Sequence, residues 1–241
     1  MTTAFEKYSD VLLDAFCENL RAIELAQKKT EVLDDLIDAN DLDIHSVLYF
    51  GFSPSILNTS INKIFVTEIG PDVRDHLDQK KIVYTYVDRK NLKPNMCDLV
   101  VAFDEYFTFA ETDTDQKNLV DLLCSVGIKA VVTTLRDYKN QDFKDREFSQ
   151  PILIKNSNSK KIYLEHYEYN ISDRNSFTST NYIIIDDGCV VIGPFDRRNM
   201  FFKQLAKFSL DAGASNFLIH KNLMHKSIIK KSYEYIITIK L

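Results

Sequence analysis

Ser46-Val-Leu-Tyr-Phe-Gly-Phe-Ser-Pro-Ser-Ile-Leu57, followed by Ile64-Phe-Val-Thr-Glu68, is the stretch whose reading decides the fold. Val47 to Phe50 is a short, β-prone apolar run, which suits a parallel strand buried on both faces. Gly51 at its end is where a strand turns into a helix. Ser53 and Pro54 mark the start of that helix as cap and first residue, and the helix must be short, because Ile64 to Thr67 already reads as a second strand. Ligands of open α/β sheets sit outside the carboxyl ends of the strands, where an acid closing the second strand can accept both hydroxyls of a ribose. Glu68 has that position.

Downstream, the same alternation continues. Asp72 to Gln79 reads as a helix and Ile82 to Val87 as a third strand ended by Asp88; Cys97 to Phe103 reads as a fourth, ended by Asp104 and Glu105. Gln116 to Ser125 places Leu119, Leu122 and Leu123 on one helical face, with Gly127 as a C′ glycine, and Lys129 to Leu135 is a fifth strand. Strand and helix alternating in this way predict a parallel, doubly wound sheet.

Upstream, residues 5 to 40 are helical by spacing. Leu12, Phe16, Leu20 and Ile23 form one face, and Thr30 is placed to cap a second helix carrying Leu33, Leu36 and Ile37. The second half changes texture. Asp137 to Gln150 is charged and loop-like; Pro151 to Ile154, Lys161 to Tyr169 and Thr180 to Ile185 are extended, and Asp187-Gly188 forms the turn of a hairpin reaching Ile192. Arg197 to Ala212 reads as an amphipathic helix, and Asn216 to His220 and Tyr233 to Leu241 as closing strands. The expected organisation is a single domain: a helical cap over 1–45, a ligand-binding half over 46–135, and a substrate or interaction half over 136–241.

Composition bounds the rest. With 241 residues and 45% hydrophobic content the chain can bury a large core. It contains no run of roughly 18 apolar residues and no signal-peptide pattern, so the expectation is a soluble, cytoplasmic protein. Cys17, Cys97, Cys124 and Cys189 are dispersed, which indicates neither a zinc site nor a disulfide framework. The net charge of −5 is uneven: residues 197–241 carry nine Lys or Arg against Asp211 and Glu234, or +7, leaving −12 for residues 1–196. Arg197, Arg198, Lys203, Lys207, Lys226, Lys230 and Lys231 are therefore candidates for contact with nucleic acid or an acidic partner, the alternative being the acidic part of the same chain.

With these residues in place, the chain resembles the class I S-adenosylmethionine-dependent methyltransferases. Val47 to Gly51 looks like the family's first motif, Glu68 like the acid that holds the ribose hydroxyls, and Asp88 like the acid that meets the adenine amino group. The stretch from Phe103 to Ala110, then a helix, a glycine and Ala130 to Thr134, is similar to the fourth strand, its helix and the fifth strand. The resemblance implies a Rossmann-like α/β fold with a helical N-terminal cap and extra antiparallel strands in the second half. It also implies S-adenosylmethionine as cofactor, held by Gly51, Phe52, Ser53, Glu68, Asp88, Arg89 and Asp104, and methyl transfer to an acceptor. Departures stand beside the matches. Where the family carries an acid and further glycines, this chain has Tyr49, Ser53 and Ser55, and Glu68 follows Gly51 by only seventeen positions. These departures favour a second reading, a catalytically inactive domain of the same fold acting as a structural or interaction subunit.

Methyl transfer needs orientation above all, and a base only when the acceptor carries a proton. Asp104 and Glu105 are the candidate catalytic residues, able to orient an acceptor or remove its proton; a helix N-terminus would favour the same acids without catalysis. The signature for methylating exocyclic amines of bases is absent there. His166, His220 and His225 are the other titratable candidates, each more simply structural. Tyr106, Phe107, Phe109 and Phe52 could line an adenine or substrate pocket.

Overall fold

The computed structural model describes residues 4–18, 20–38, 43–103, 106–136, 146–149, 151–155, 160–173, 175–185, 188–226 and 231–241. Two helices open the chain, α1 (Ala4–Glu18) and α2 (Leu20–Asp38). The proposed break at Thr30 does not occur. Its hydroxyl bonds the Ala26 carbonyl four residues back at 2.9 Å, which lets a threonine sit inside a helix without capping one.

The decisive stretch folds as read: β1 (Ser46–Phe50), a 3-10 turn over Pro54–Asn58 capped by Ser53, and β2 (Lys63–Thr67). All five residues of β1 are buried, because the strand lies mid-sheet with helices on both faces. Next come α3 (Pro71–Gln79), β3 (Thr85–Tyr86) and β4 (Cys97–Ala102), then α4 (Asp113–Val126) and β5 (Gly127–Arg136). The third strand is shorter than Ile82 to Val87, since it is the sheet edge and has a partner only along Phe65 and Val66. α4 starts earlier than expected, at a capping box between Thr112 and Asp115. Gly127 has φ −76°, so it is not a left-handed cap; a Cβ there would approach Leu241 and Val100 at 3.1–3.2 Å as the chain enters β5.

After β5 the chain builds β6 (Arg146–Phe148), β7 (Ile152–Lys155), β8 (Lys160–Tyr169), β9 (Ser176–Ile185) and β10 (Gly188–Arg198). It closes with α5 (Phe202–Asp211), β11 (Asn216–Lys226) and β12 (Lys231–Lys240). Arg197 and Arg198 thus belong to a strand, not to the helix expected from Arg197 onward. Pairing of Arg197 with Phe177 and of Arg198 with Ser176 carries β10 past its bulge to the start of α5.

The main sheet has the order β11-β12-β5-β4-β1-β2-β3, parallel except for β12, which runs antiparallel to both its neighbours. Side chains alternate across it. Leu48, Phe50, Val100 and Val131 face Leu119, Leu123 and Leu205 of α4 and α5; Val47, Val66, Val101 and Val132 face Val32, Leu33, Val73 and Leu77 of α2 and α3. α2 is fixed further by a buried ion pair between Lys29 and Glu234 at 3.4 Å. β6, β8, β9 and β10 form a separate antiparallel sheet, with β7 also pairing β8.

Asp98 ties the starts of β1 and β4 together. It accepts from the His45 and Ser46 N–H groups at 3.0 Å and from the Ser46 hydroxyl at 2.9 Å. Burial acts to raise its pKa, but these bonds and Lys129 outweigh it and hold the carboxyl below its ordinary 3.8. A lowered folded pKa gives stability that is present above the unfolded value and lost as pH falls through the folded one. Wild type is therefore expected to lose stability relative to Asp98→Asn from about pH 4 downward; urea titrations between pH 3 and 7 that show a pH-independent difference would contradict this.

Candidate active site

The carboxyl ends of β1, β2 and β4 meet beside α1 and the 3-10 turn Tyr106–Phe109. A cavity of about 450 Å³ opens there, lined by Phe5, Glu68, Arg89, Tyr106, Phe109 and the first turns of α4. Glu68 ends β2 in the left-handed region, with φ +54°, and is 3% exposed. A non-glycine residue held there is strained, and such strain persists where the surroundings fix the residue's direction. One carboxylate oxygen accepts from Arg89 Nη1 at 2.9 Å; the other is buried and has no partner among the described residues. The Tyr106 hydroxyl is buried beside this carboxylate and makes no hydrogen bond of good geometry among the described residues. Burial first, then the Glu68 charge and its pull on the phenolic proton, push the Tyr106 pKa well above 10, while Arg89 opposes them, so the hydroxyl keeps its proton and can donate. A desolvated acceptor and a desolvated donor therefore stand side by side in the cavity wall, neither with a well-formed hydrogen bond among the described residues. Such groups cost free energy until a ligand or water bonds them.

Gly51 turns the chain out of β1 at φ +74°, a conformation suited to glycine. Its open face is covered from α1: a Cβ there would lie 2.0 Å from Phe5 Cε1. Tyr49, Ser53 and Ser55, the residues standing in place of an acid and glycines, make one cluster on the inner side. The Tyr49 hydroxyl bonds the Ser55 and Thr59 side chains, the Ser53 and Ser55 hydroxyls are 3.0 Å apart, and burial pushes the Tyr49 pKa up to about 12. The departures at this turn are thus coupled, a hydroxyl network filling the space below it.

Of the residues named from sequence, Glu68 and Arg89 come together on the cavity wall with Tyr106 and Phe109. Phe52 is buried against His76, Ser53 faces inward as a cap, and Phe107 lies in the core between the sheet and α4. Asp88 caps the turn Arg89–Asn91 and pairs with Lys90 at 3.2 Å, half-exposed and off the cavity wall. Asp104 and Glu105 lie outside the described residues. His166 stacks on Phe148 at 4.4 Å, and His220 bonds Thr238 at 2.7 Å, both away from the cavity. Phe5, Glu111, Asp115 and Asn118 also line it and were not read from sequence. The Thr112-x-x-Asp115 box was the available signal, as it fixes where α4 begins. Among the described residues no group of His, Cys, Asp or Glu is arranged to hold a metal.

The basic end turns partly inward. Arg197 is 2% exposed, and Arg198 bridges Asp113 at 2.5 Å and Asp173 at 2.6 Å. Neither projects as a surface cation. Lys203 and Lys207 are exposed, Lys207 pairing with Asp211; the side chains of Lys226 and Lys231, and Lys230 itself, lie outside the described residues.

Sheet order and the lone antiparallel strand define the class I methyltransferase fold. Solved structures bear this out at low identity. CalS10 of Micromonospora echinaspora, an amino pentose methyltransferase with bound S-adenosylmethionine, matches with a TM-score of 0.62 at 11% identity over 88% of this chain and 91% of that one. An S-adenosylmethionine-dependent methyltransferase of Clostridium acetobutylicum gives 0.62 at 11% over 88% and 90%, and DesVI of Streptomyces venezuelae 0.62 at 11% over 87% and 91%. No protein-family model matches the sequence, and no curated protein matches it. Among the described residues no helix is long and apolar enough to cross a membrane.

Proposed function

We propose that this chain binds S-adenosylmethionine in the cavity at Glu68 and directs methyl transfer to an acceptor. The observation that carries the reading is the adjacent buried pair there, the Glu68 oxygen that Arg89 leaves free and the Tyr106 hydroxyl, neither of which has a well-formed hydrogen bond among the described residues. A ribose diol would donate to the first and accept from the second, which satisfies both. Phe109 and Leu119 give the cavity apolar walls suited to a flat ring. The cofactor, when bound, supplies an electrophilic methyl on a sulfonium. The chain's part is to orient the ligand through Glu68 and Tyr106 and to exclude water with the apolar walls at Phe109 and Leu119. The acidic side chains Glu111 and Asp115 on the wall favour an acceptor or cofactor group that carries positive charge.

A second reading, an inactive domain used as an interaction subunit, is favoured by one observation, the Phe5 ring seated over Gly51. In that reading Lys203 and Lys207 are the described part of a contact surface for nucleic acid or an acidic protein. Calorimetric titration with S-adenosylmethionine and S-adenosylhomocysteine separates the two. Saturable binding of one ligand per chain is expected, and no heat at millimolar ligand would leave the second reading standing.

A further inference from the structure

α1 crosses the carboxyl edge of the sheet and is held at two glycines. Near its start, the Phe5 ring lies on Gly51 and makes edge-on contacts with Tyr106 at 4.9 Å and Phe109 at 5.0 Å. One turn and a half later, the Asp10 carboxylate lies against Gly70, where a Cβ would sit 1.7 Å from Oδ2. Asp10 accepts from the Val73 N–H at 3.2 Å and so caps α3, whose own N-cap residue, Gly70, has no side chain to do it. Any larger residue at Gly51 or Gly70 would lift the helix. Both glycines therefore make room for α1. At Gly51 this is the same face that a ligand approaching the first turn of the sheet would use.

The two anchors differ in kind. Phe5 is buried, 4% exposed, and packs well. The Asp10 carboxylate is half-desolvated with Asp72 and Glu6 beside it; burial raises its pKa, Asp72 and Glu6 add to the rise, and the Val73 N–H and Arg74 oppose it.

We propose that α1 is a displaceable strap: Phe5 and the ligand compete for the face of Gly51, so that binding in the Glu68 cavity undocks the start of α1. This rests on the reading that the cavity takes S-adenosylmethionine. A strap docked about nine-tenths of the time lowers apparent affinity about tenfold. Phe5→Ala is accordingly expected to bind S-adenosylhomocysteine about tenfold more tightly than wild type by calorimetry, with Phe5→Leu between the two. In wild type, saturating S-adenosylhomocysteine should speed amide hydrogen exchange over residues 4–10, a readout that needs no variant to fold. Equal or weaker binding by both variants overturns the strap while leaving the cofactor reading in place. So does slower exchange over 4–10, which would make α1 a lid that closes on the ligand. Absence of binding by wild type and both variants at millimolar ligand removes the cofactor reading and the strap together.

Discussion

Arg197→Ala is expected to lower the free energy of unfolding by about 3–5 kcal/mol, the usual consequence of removing one partner from a buried, hydrogen-bonded charge pair. The Arg197 side chain is fully buried and joins three parts of the molecule. Its guanidinium donates to Thr108 at 3.0 and 2.6 Å and to Glu165 at 3.1 Å, and it lies over the rings of Phe109 at 4.4 Å, Tyr8 at 5.3 Å and Phe177 at 5.4 Å. It therefore fastens the antiparallel sheet to the turn that carries Tyr106 and to α1. Truncation leaves a cavity and a Glu165 carboxylate that retains the Tyr167 hydroxyl but has lost its cation. Arg197→Met, which keeps most of the volume, should lose less when combined with Glu165→Gln than when alone, because the second change removes the stranded charge. Urea unfolding curves measure both differences. A loss below about 1 kcal/mol for Arg197→Ala would mean that water reaches the pair and that the guanidinium is not the fastening.

Glu68→Ala is expected to weaken S-adenosylhomocysteine binding roughly a hundredfold while changing stability little. The charge-assisted bond from a ribose hydroxyl to the oxygen that Arg89 leaves free is worth up to about 3 kcal/mol, which is about two decades in Kd. Stability is spared for separate reasons. The Arg89 side chain is 43% exposed and can turn to water once Glu68 is gone, and removal of the carboxylate also removes a buried oxygen without a partner. The backbone strain at φ +54° stays in Glu68→Ala and is relieved in Glu68→Gly, so the glycine variant should be the more stable of the two by roughly 1 kcal/mol. Unchanged affinity in the alanine variant, measured by calorimetry, would place the ligand elsewhere.

Much of this architecture is set by local patterns. β1 reads as a buried parallel strand because Val47 to Phe50 has no polar side to present. Ser53 and Pro54 start their turn because a hydroxyl cap and a fixed φ work over three residues of chain. The position of Glu68 follows from strand length alone, and its place on the cavity wall was legible for that reason. Asp88 had the same kind of warrant, and it also caps its own turn at the solvent-facing end of a short edge strand. Thr30 and Gly127 show the reverse limit, where a residue suited to a helix end is used for a back-bond or for close packing.

Sequence by itself determined the order of strands and helices in the first half, the glycine turn after β1, and the acid that ends β2; each depends on propensities and periodicities spanning fewer than about ten residues. Tertiary structure alone decided what covers that turn. Phe5 reaches Gly51, Asp10 caps α3 from 63 residues away, and Arg197 meets Thr108 across 89 residues, turning a basic stretch into an internal joint. Such contacts are fixed by how the sheets and α1 pack against one another, and no local pattern encodes which distant side chain will fill the space left by a glycine.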